Sequence, residues 1–205
     1  MIKAVIFDVG GVLVRTEDHS YRRRCEEELG LRPGEAEEIV FNSSMGQKAQ
    51  KGEISDEELW HWVGKRLDLG ERLGMFRNDF WAGDVLDKEM VASIRQLRPD
   101  YQTAIISNAT DALRDTLSNK HGIADAFDVI IGSAEEQLMK PNAEIYQRAL
   151  EALDRRAEES VFIDDFRRNV DGAQAVGIAA IHYRPDMDLN MALKRFGVKV
   201  KESER

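Results

Sequence analysis

The sequence holds a single cysteine, Cys25, among 205 residues. That excludes an intrachain disulfide framework and any site built from several thiolates, and it makes a reducing, cytoplasmic setting the expectation. Positive charge is also scarce. With 29 basic against 38 acidic residues the formal charge is −9, so no broad basic face for nucleic acid is expected. Long hydrophobic runs are missing too. The opening stretch Met1–Phe7 is stopped by Asp8, too soon for a signal peptide or a span, and nothing later reaches the ~18 apolar residues that crossing a membrane requires. No membrane partner is expected, and the oligomeric state stays open. What remains is an ordinary globular balance of 42% apolar and 33% charged residues, in a length suited to one core plus a modest insertion. No internal repeat or low-complexity tract appears.

Five short runs read as buried strands, each apolar or β-branched on consecutive positions and ending in small or polar residues: Ile2–Phe7, Thr103–Ile106, Val129–Ile131, Val161–Ile163 and Ala179–His182. Helical spacing over Ala143–Leu153 and Asn169–Val176 separates the later ones. Strand alternating with helix predicts an α/β, Rossmann-like fold, a parallel sheet of about five strands flanked by helices. The first two runs stand almost a hundred residues apart, far more than one crossover helix needs. No convincing strand shows in that gap, only helical patterns broken at Gly30, Pro33, Gly46, Gly52, Gly70 and Gly74. Ser55-Asp56-Glu57-Glu58 is a capping-box signature opening a helix with Leu59, Trp62 and Val63 on one face. Residues 15–85 are therefore expected to form a helical insertion after the first strand, leaving 1–14 and 86–205 as the α/β core. The charged tail Lys199–Arg205 is expected to fray.

In an open parallel sheet, ligands bind beyond the C-terminal ends of the strands. The residues at those ends are Asp8-Val9-Gly10-Gly11 after the first strand, Ser107-Asn108 after the second, Lys140 before Pro141, and Asp164-Asp165 after the fourth. Singly, each has a plain structural reading: a turn aspartate, a flexible Gly-Gly, a Ser-Asn or Asp-Asp helix cap. Together they supply a carboxylate, a hydroxyl and amide, a cation and a carboxylate pair, a set able to hold a phosphoryl group and a divalent metal.

Phe7-Asp8-Val9-Gly10-Gly11-Val12-Leu13, Ile106-Ser107-Asn108, Lys140-Pro141 and Phe162-Ile163-Asp164-Asp165, followed by Asn169-Val170-Asp171-Gly172-Ala173 and Gly177, resemble the four ordered motifs of the haloacid dehalogenase-like (HAD) hydrolase superfamily. The insertion is similar to the helical cap of the subgroup that includes small sugar-phosphate phosphatases and the phosphatase domain of soluble epoxide hydrolase. The resemblance implies a magnesium-dependent hydrolase of small phosphate monoesters, with a small phosphorylated metabolite as its partner. Asp8 would be the nucleophile, passing through an aspartyl phosphate. Mg2+ would be held by Asp8, the Gly10 carbonyl and the Asp164-Asp165 pair. Ser107, Asn108, Lys140 and the backbone at Gly10 and Gly11 would bind phosphate, with Lys140 also neutralising developing charge.

One position departs from the family pattern. The usual second aspartate of the first motif, the general acid and base, is Gly10 here. Such catalysis is typically worth ~10²–10⁴ in rate, or about 3–5 kcal/mol, and a good leaving group such as an anomeric sugar phosphate would feel its loss least. Phe166, where relatives often carry a small polar residue, is a smaller departure. The alternatives are a catalytically weak or silent protein that binds phosphate, metal or a partner, and, within the family, a haloacid dehalogenase. The intact Asp164-Asp165 pair disfavours the dehalogenase, which needs no metal; a phosphomutase would need an acid at position 10. Arg22–Arg24, Lys48, Trp60, His61, Trp62 and Trp81 are candidate substrate contacts, with the loop Asn42–Gly52 the preferred place, although charge runs are commonly solvated faces and periodic aromatics commonly core. Cys25 has no partner histidine and reads as structural.

Overall fold

Ala4-Val5-Ile6-Phe7 offers no polar side chain to either face, so it can be a strand only with neighbours along both edges and layers on both sides. The computed structural model, which describes residues 1–200, meets each of these needs. β1 (Ala4–Phe7) is the middle strand of a five-stranded sheet in the order β5-β4-β1-β6-β7, with β4 Gln102–Ser107, β5 Val129–Gly132, β6 Ser160–Asp164 and β7 Ala179–His182. Every pairing in it is parallel, and Phe7 lies in register with both Ile105 and Ile163. Strand alternation then divides the core. Val5, Phe7, Ile105 and Ile163 pack with Val91, Ile94 and Leu97 of the helix Lys88–Leu97, while Ala4, Ile6, Ala104, Ile106 and Phe162 meet Ile145, Tyr146, Ala149 and Leu153 of the helix Ala143–Leu153. The α/β, Rossmann-like architecture expected from the sequence is the one found.

The helical insertion follows β1, as expected, and has a hydrophobic core of its own. Cys25, Ile39, Val40, Leu59, Trp60, Val63, Phe76 and Phe80 form a cluster that draws only on the helical stretch. The capping box is present: Ser55 Oγ accepts from the Glu58 N–H at 3.1 Å, and the Glu58 carboxylate accepts from the Ser55 N–H at 2.8 Å, opening the helix Asp56–Arg66. Cys25 is a buried free thiol whose ionisation burial disfavours, in keeping with a structural place.

Four expectations need correction. The gap between the first two sheet strands does contain strand. β2 (Val14–Thr16) and β3 (Asp84–Leu86) pair antiparallel and bind the two ends of the insertion together. Three-residue strands of mixed polarity carry no readable period, and their partners are remote in sequence. The stretch Asn42–Gly52 is no loop: the helix Ser44–Gln50 fills it, capped by Ser43 Oγ accepting from the Gly46 N–H at 3.0 Å. Arg22 and Trp60 are structural. The Arg22 guanidinium donates to the Phe80 carbonyl at 2.8 Å and pairs with Asp84 at 2.8 Å, and Trp60 sits in the aromatic cluster with its ring 5.7 Å from that of Phe80. The start of the tail is held, because the Lys199 N–H donates to the Tyr101 hydroxyl at 2.8 Å and Val200 packs on the core. Residues 201–205 of that tail lie outside the described residues. Among the described residues no helix is long and apolar enough to cross a membrane.

Gln137 ends the helix Ser133–Glu136 with φ of 56°, a left-handed conformation in which a Cβ meets the following carbonyl. It is exposed, so no packing compensates. Gln137→Gly should raise stability by roughly 0.5–1 kcal/mol, the left-handed cost less the extra chain entropy that glycine loses on folding. Urea denaturation of the two proteins measures the difference.

Candidate active site

Parallel strands deliver their C-terminal ends to one edge of the sheet, and the sequence-predicted residues gather there because β1, β4 and β6 are adjacent. Asp8 follows β1 and is fixed by its own N–H donating to the Ile163 carbonyl at 2.9 Å. Its carboxylate accepts from the Val9 N–H at 2.7 Å and pairs with Lys140 Nζ at 2.8 Å. The same ammonium reaches Asp164 at 2.7 Å. Asp8, Lys140 and Asp164 are 6%, 2% and 0% exposed, so this is a buried three-centre ion cluster. Removing Lys140 would leave two buried carboxylates uncompensated, a loss of typically ~3–5 kcal/mol.

Asp164 is almost saturated. One oxygen accepts from the Phe166 N–H at 2.8 Å and the other from Lys140, while Asn169 Nδ2 donates to both at 3.1 Å. Asp165 is the opposite case: its Oδ1 is buried without any hydrogen-bond partner. Oxygens of Asp8, Asp164 and Asp165 lie within 4.8 Å of one another. Three carboxylates face a single lysine, and an acceptor with an unused buried lone pair is a costly thing to leave bare. The donor set, all oxygen and in excess of the local positive charge, fits a hard divalent cation.

Gly11 and Gly10 serve different ends. Gly11 has φ of +76°, and a Cβ there would fall 2.1 Å from Asp165 Oδ2, so glycine lets the turn after β1 close on Asp165. At Gly10 a Cβ would meet nothing within 4 Å. Contact at the Cβ therefore does not demand glycine at this position.

Ser107 closes β4 and is 5% exposed; among the described residues its hydroxyl has no hydrogen-bond partner. Asn108 is differently employed. Its Nδ2 donates to the Lys140 carbonyl at 3.0 Å and its Oδ1 accepts from the Lys140 N–H at 2.8 Å, so both ends of the amide hold the main chain that carries the lysine. Phe166 is 57% exposed with the Arg168 guanidinium 5.9 Å from its ring, at the rim beside Asp165. Lys48 and His61 are exposed on the insertion, and Trp81 is half-buried with its ring 4.9 Å from that of Phe80.

Two contributors have no role in the sequence reading, although Asn169 stands in its fourth motif. Asn169 locks Asp164, and its main-chain carbonyl accepts from the buried Tyr146 hydroxyl at 2.8 Å. Its place in the first turn of the helix that starts after the Asp pair is the signal that could have marked it. Ser133, fully buried, touches both the insertion and the segment after Ser107, and no short-range pattern announces it.

Burial pushes the Asp8 carboxyl up to about 7, against the pull of Lys140 and with the push of Asp164. Asp165 is raised as well, by burial and then by Asp164. A carboxyl raised on folding leaves stability intact below its unfolded value near 4 and lowers it as pH climbs through the folded value. Chelator-treated protein should therefore lose stability between pH 4.5 and 8, with Asp8 contributing on the order of 2–4 kcal/mol of that loss. Asp8→Asn should flatten the profile, and a divalent cation should restore the wild-type protein at pH 8. Urea denaturation at both pH values, with and without metal, tests this; equal slopes for wild type and variant would refute it.

Comparison with known proteins places this geometry. A sesquiterpene phosphatase of Aspergillus oryzae is 29% identical over 197 residues, covering 94% of this chain and 95% of that protein. Bifunctional epoxide hydrolase 2 of Mus musculus is 25% identical over 203 residues, covering 88% of this chain but only 36% of the enzyme. Among solved structures, a HAD family enzyme of Bacteroides thetaiotaomicron, crystallised with magnesium and inorganic phosphate, superposes with a TM-score of 0.79 at 21% identity over 94% of this chain and 99% of that one. The family description of haloacid dehalogenase-like hydrolases matches residues 2–177, most of the sheet and the whole ion cluster, and the chain belongs to that family.

Proposed function

We propose that this protein is a magnesium-dependent phosphatase of small phosphate monoesters, with residues 15–85 acting as a cap over the site. The observation that carries the reading is the buried Lys140 ammonium shared by Asp8 and Asp164, beside the unpartnered Asp165 oxygen. Transfer of a phosphoryl group asks for such parts: a carboxylate nucleophile, fixed positive charge and a metal-binding oxygen set. The set for the ion is Asp8, the Gly10 carbonyl, Asp164 and Asp165, and Asp165 is its most open member. When bound, magnesium supplies positive charge that offsets the carboxylates and polarises the phosphate.

In this mechanism an Asp8 oxygen attacks phosphorus, and the P–O bond to the leaving group breaks as the aspartyl phosphate forms. Lys140 holds the carboxylate in place and neutralises charge on the transferring group, while the Ser107 hydroxyl and nearby N–H groups take phosphate oxygens. Asn108 acts through Lys140, since its amide is already committed to that main chain. The leaving oxygen takes its proton from water, because Gly10 has none to give. A water molecule then attacks phosphorus, freeing inorganic phosphate and restoring Asp8.

Gly10 also favours a second reading, in which the site binds phosphate and metal but turns over slowly or not at all. Purified protein assayed with magnesium against sugar, nucleoside and isoprenoid monophosphates separates the two. Turnover should require magnesium and fall by about 10³-fold or more in Asp8→Asn, as expected when the nucleophile of a covalent mechanism is removed. Absence of turnover across the panel, with phosphate still bound, would establish the silent reading, and undiminished turnover in Asp8→Asn would remove Asp8 from the mechanism.

Because a Cβ at position 10 has room, Gly10→Asp is the variant that tests an acid at this position. If protonation of the leaving group limits the rate, this variant should gain about 10²-fold or more on substrates with poor leaving groups and little on activated ones such as anomeric phosphates. A gain that ignores the leaving group would show that the carboxylate acts in some other way.

A further inference from the structure

The segment that leaves β4 is gripped from both sides. Toward the catalytic cluster, the Asn108 amide holds the main chain of Lys140. Toward the insertion, the Ala109 N–H donates to Ser133 Oγ at 2.9 Å, and that hydroxyl donates to the Gln50 carbonyl at 2.6 Å, at the end of the helix Ser44–Gln50. The Ala109 carbonyl, 3.1 Å from the same oxygen, is its second acceptor. Ser133 is the first residue of the helix Ser133–Glu136, whose N-cap is Gly132, and its hydroxyl is engaged with Ala109 and Gln50.

Neighbouring contacts repeat the theme. The Thr110 hydroxyl donates to Asp56 Oδ1 at 2.9 Å, and the Asp56 N–H donates to Asp111 Oδ1 at 2.8 Å, at the start of the helix Asp56–Arg66. Beside Ser133 the insertion comes still closer. Gly52 has φ of +70°, and a Cβ there would lie 2.1 Å from the Ala134 carbonyl oxygen. The helical insertion is thus seated on residues 110–111 and 133–134, with Ser133 holding Ala109 in the segment that continues from Ser107.

We propose that Ser133 is a positioning residue that couples the seating of the cap to the order of the 107–109 segment. Its one proton has two acceptors. With the cap seated the proton goes to Gln50, and Ser133 Oγ is pinned as the acceptor for the Ala109 N–H. With the cap displaced the hydroxyl turns to the Ala109 carbonyl, and the tie between the two parts is gone. Without the hydroxyl, a main-chain N–H and a carbonyl at a part-buried junction both lose their partner. The functional consequence rests on the reading of Ser107 as a phosphate contact; the coupling itself does not.

Two variants break the tie from opposite sides. Ser133→Ala removes the hydroxyl, and Gly52→Ala pushes the cap off Ala134 while leaving Ser133 in place. Hydrogen exchange at the amides of 107–111, and affinity for inorganic phosphate in the presence of magnesium, are read for each alongside wild type. Both variants should exchange about tenfold faster at 107–111 and bind phosphate about tenfold more weakly, the size expected for one lost part-buried hydrogen bond. The decisive arm is Gly52→Ala, which also carries the test if Ser133→Ala does not fold. If it speeds exchange only within residues 44–56, leaving 107–111 and phosphate affinity as in wild type, cap and segment are uncoupled and the proposal fails. If wild type binds no phosphate, the proposed function fails instead, and the exchange data still decide the coupling.

Discussion

The placement of one buried ammonium governs the rest of the site. Lys140 lies between Asp8 and Asp164, and without it two buried carboxylates would face each other with no compensating charge. That requirement constrains the fold. Asp8 and Asp164 must come from adjacent strands, which the β4-β1-β6 order ensures, and the lysine must arrive from a segment with no strand of its own. Two amides make up for that lack of regular structure. Asn108 binds the Lys140 main chain as a neighbouring strand would, and Asn169 spans both oxygens of Asp164. With those in place the lysine has one position rather than many, which is what electrostatic catalysis requires of a charge.

The helical insertion obeys a separate constraint. Its aromatic core gives it internal cohesion, and Arg22 is spent inside it, binding Phe80, Glu37 and Asp84 together. Asp84 also accepts from the Thr16 hydroxyl at 2.6 Å, so the arginine ties the helices to the β2–β3 ribbon through which the chain enters and leaves. A module with its own core and two narrow connections can shift as a body while its interior stays packed. Its hydrogen bonds to Thr110, Asp111 and Ser133 join it to the α/β core outside that ribbon.

Much of this was legible in the sequence, for identifiable reasons. Strands buried on both faces are continuous apolar runs, and their polar stops mark the ligand edge, so Asp8, Ser107, Lys140, Asp164 and Asp165 could be read together before any coordinates. The capping box at Ser55 was legible because both of its bonds are local. What escaped depends on contacts distant in the chain. β2 and β3 are too short to show a period and find each other only through the fold. Arg22 looked like part of a solvated charge run, because its partners Glu37, Phe80 and Asp84 become neighbours only once the helices pack. Asn108 sits where a phosphate contact would be expected, and only the return of the chain at Lys140 shows its amide engaged elsewhere. Ser133 is the extreme case, since both of its hydrogen-bond partners come from other parts of the chain.

The acidic character of the chain and its proposed anionic substrate are compatible once charge is counted locally. Three carboxylates against one lysine leave the site about two charges negative when all are ionised, and the Asp8 carboxyl is raised by burial first and by Asp164 second, against the pull of Lys140. A divalent ion would bring that count to zero, returning Asp8 to the ionised form a nucleophile needs. Phosphate could then approach without facing an anionic wall. The same balance bears on Gly10. An aspartate there would add a fourth negative charge to a cluster already in excess, raising the proton affinity of its neighbours unless it kept a proton of its own. Glycine keeps the nucleophile easier to ionise and leaves protonation of the departing oxygen to water. On this reading the site gives up general acid catalysis and retains a more readily ionised Asp8, an exchange that suits substrates whose leaving group departs without help.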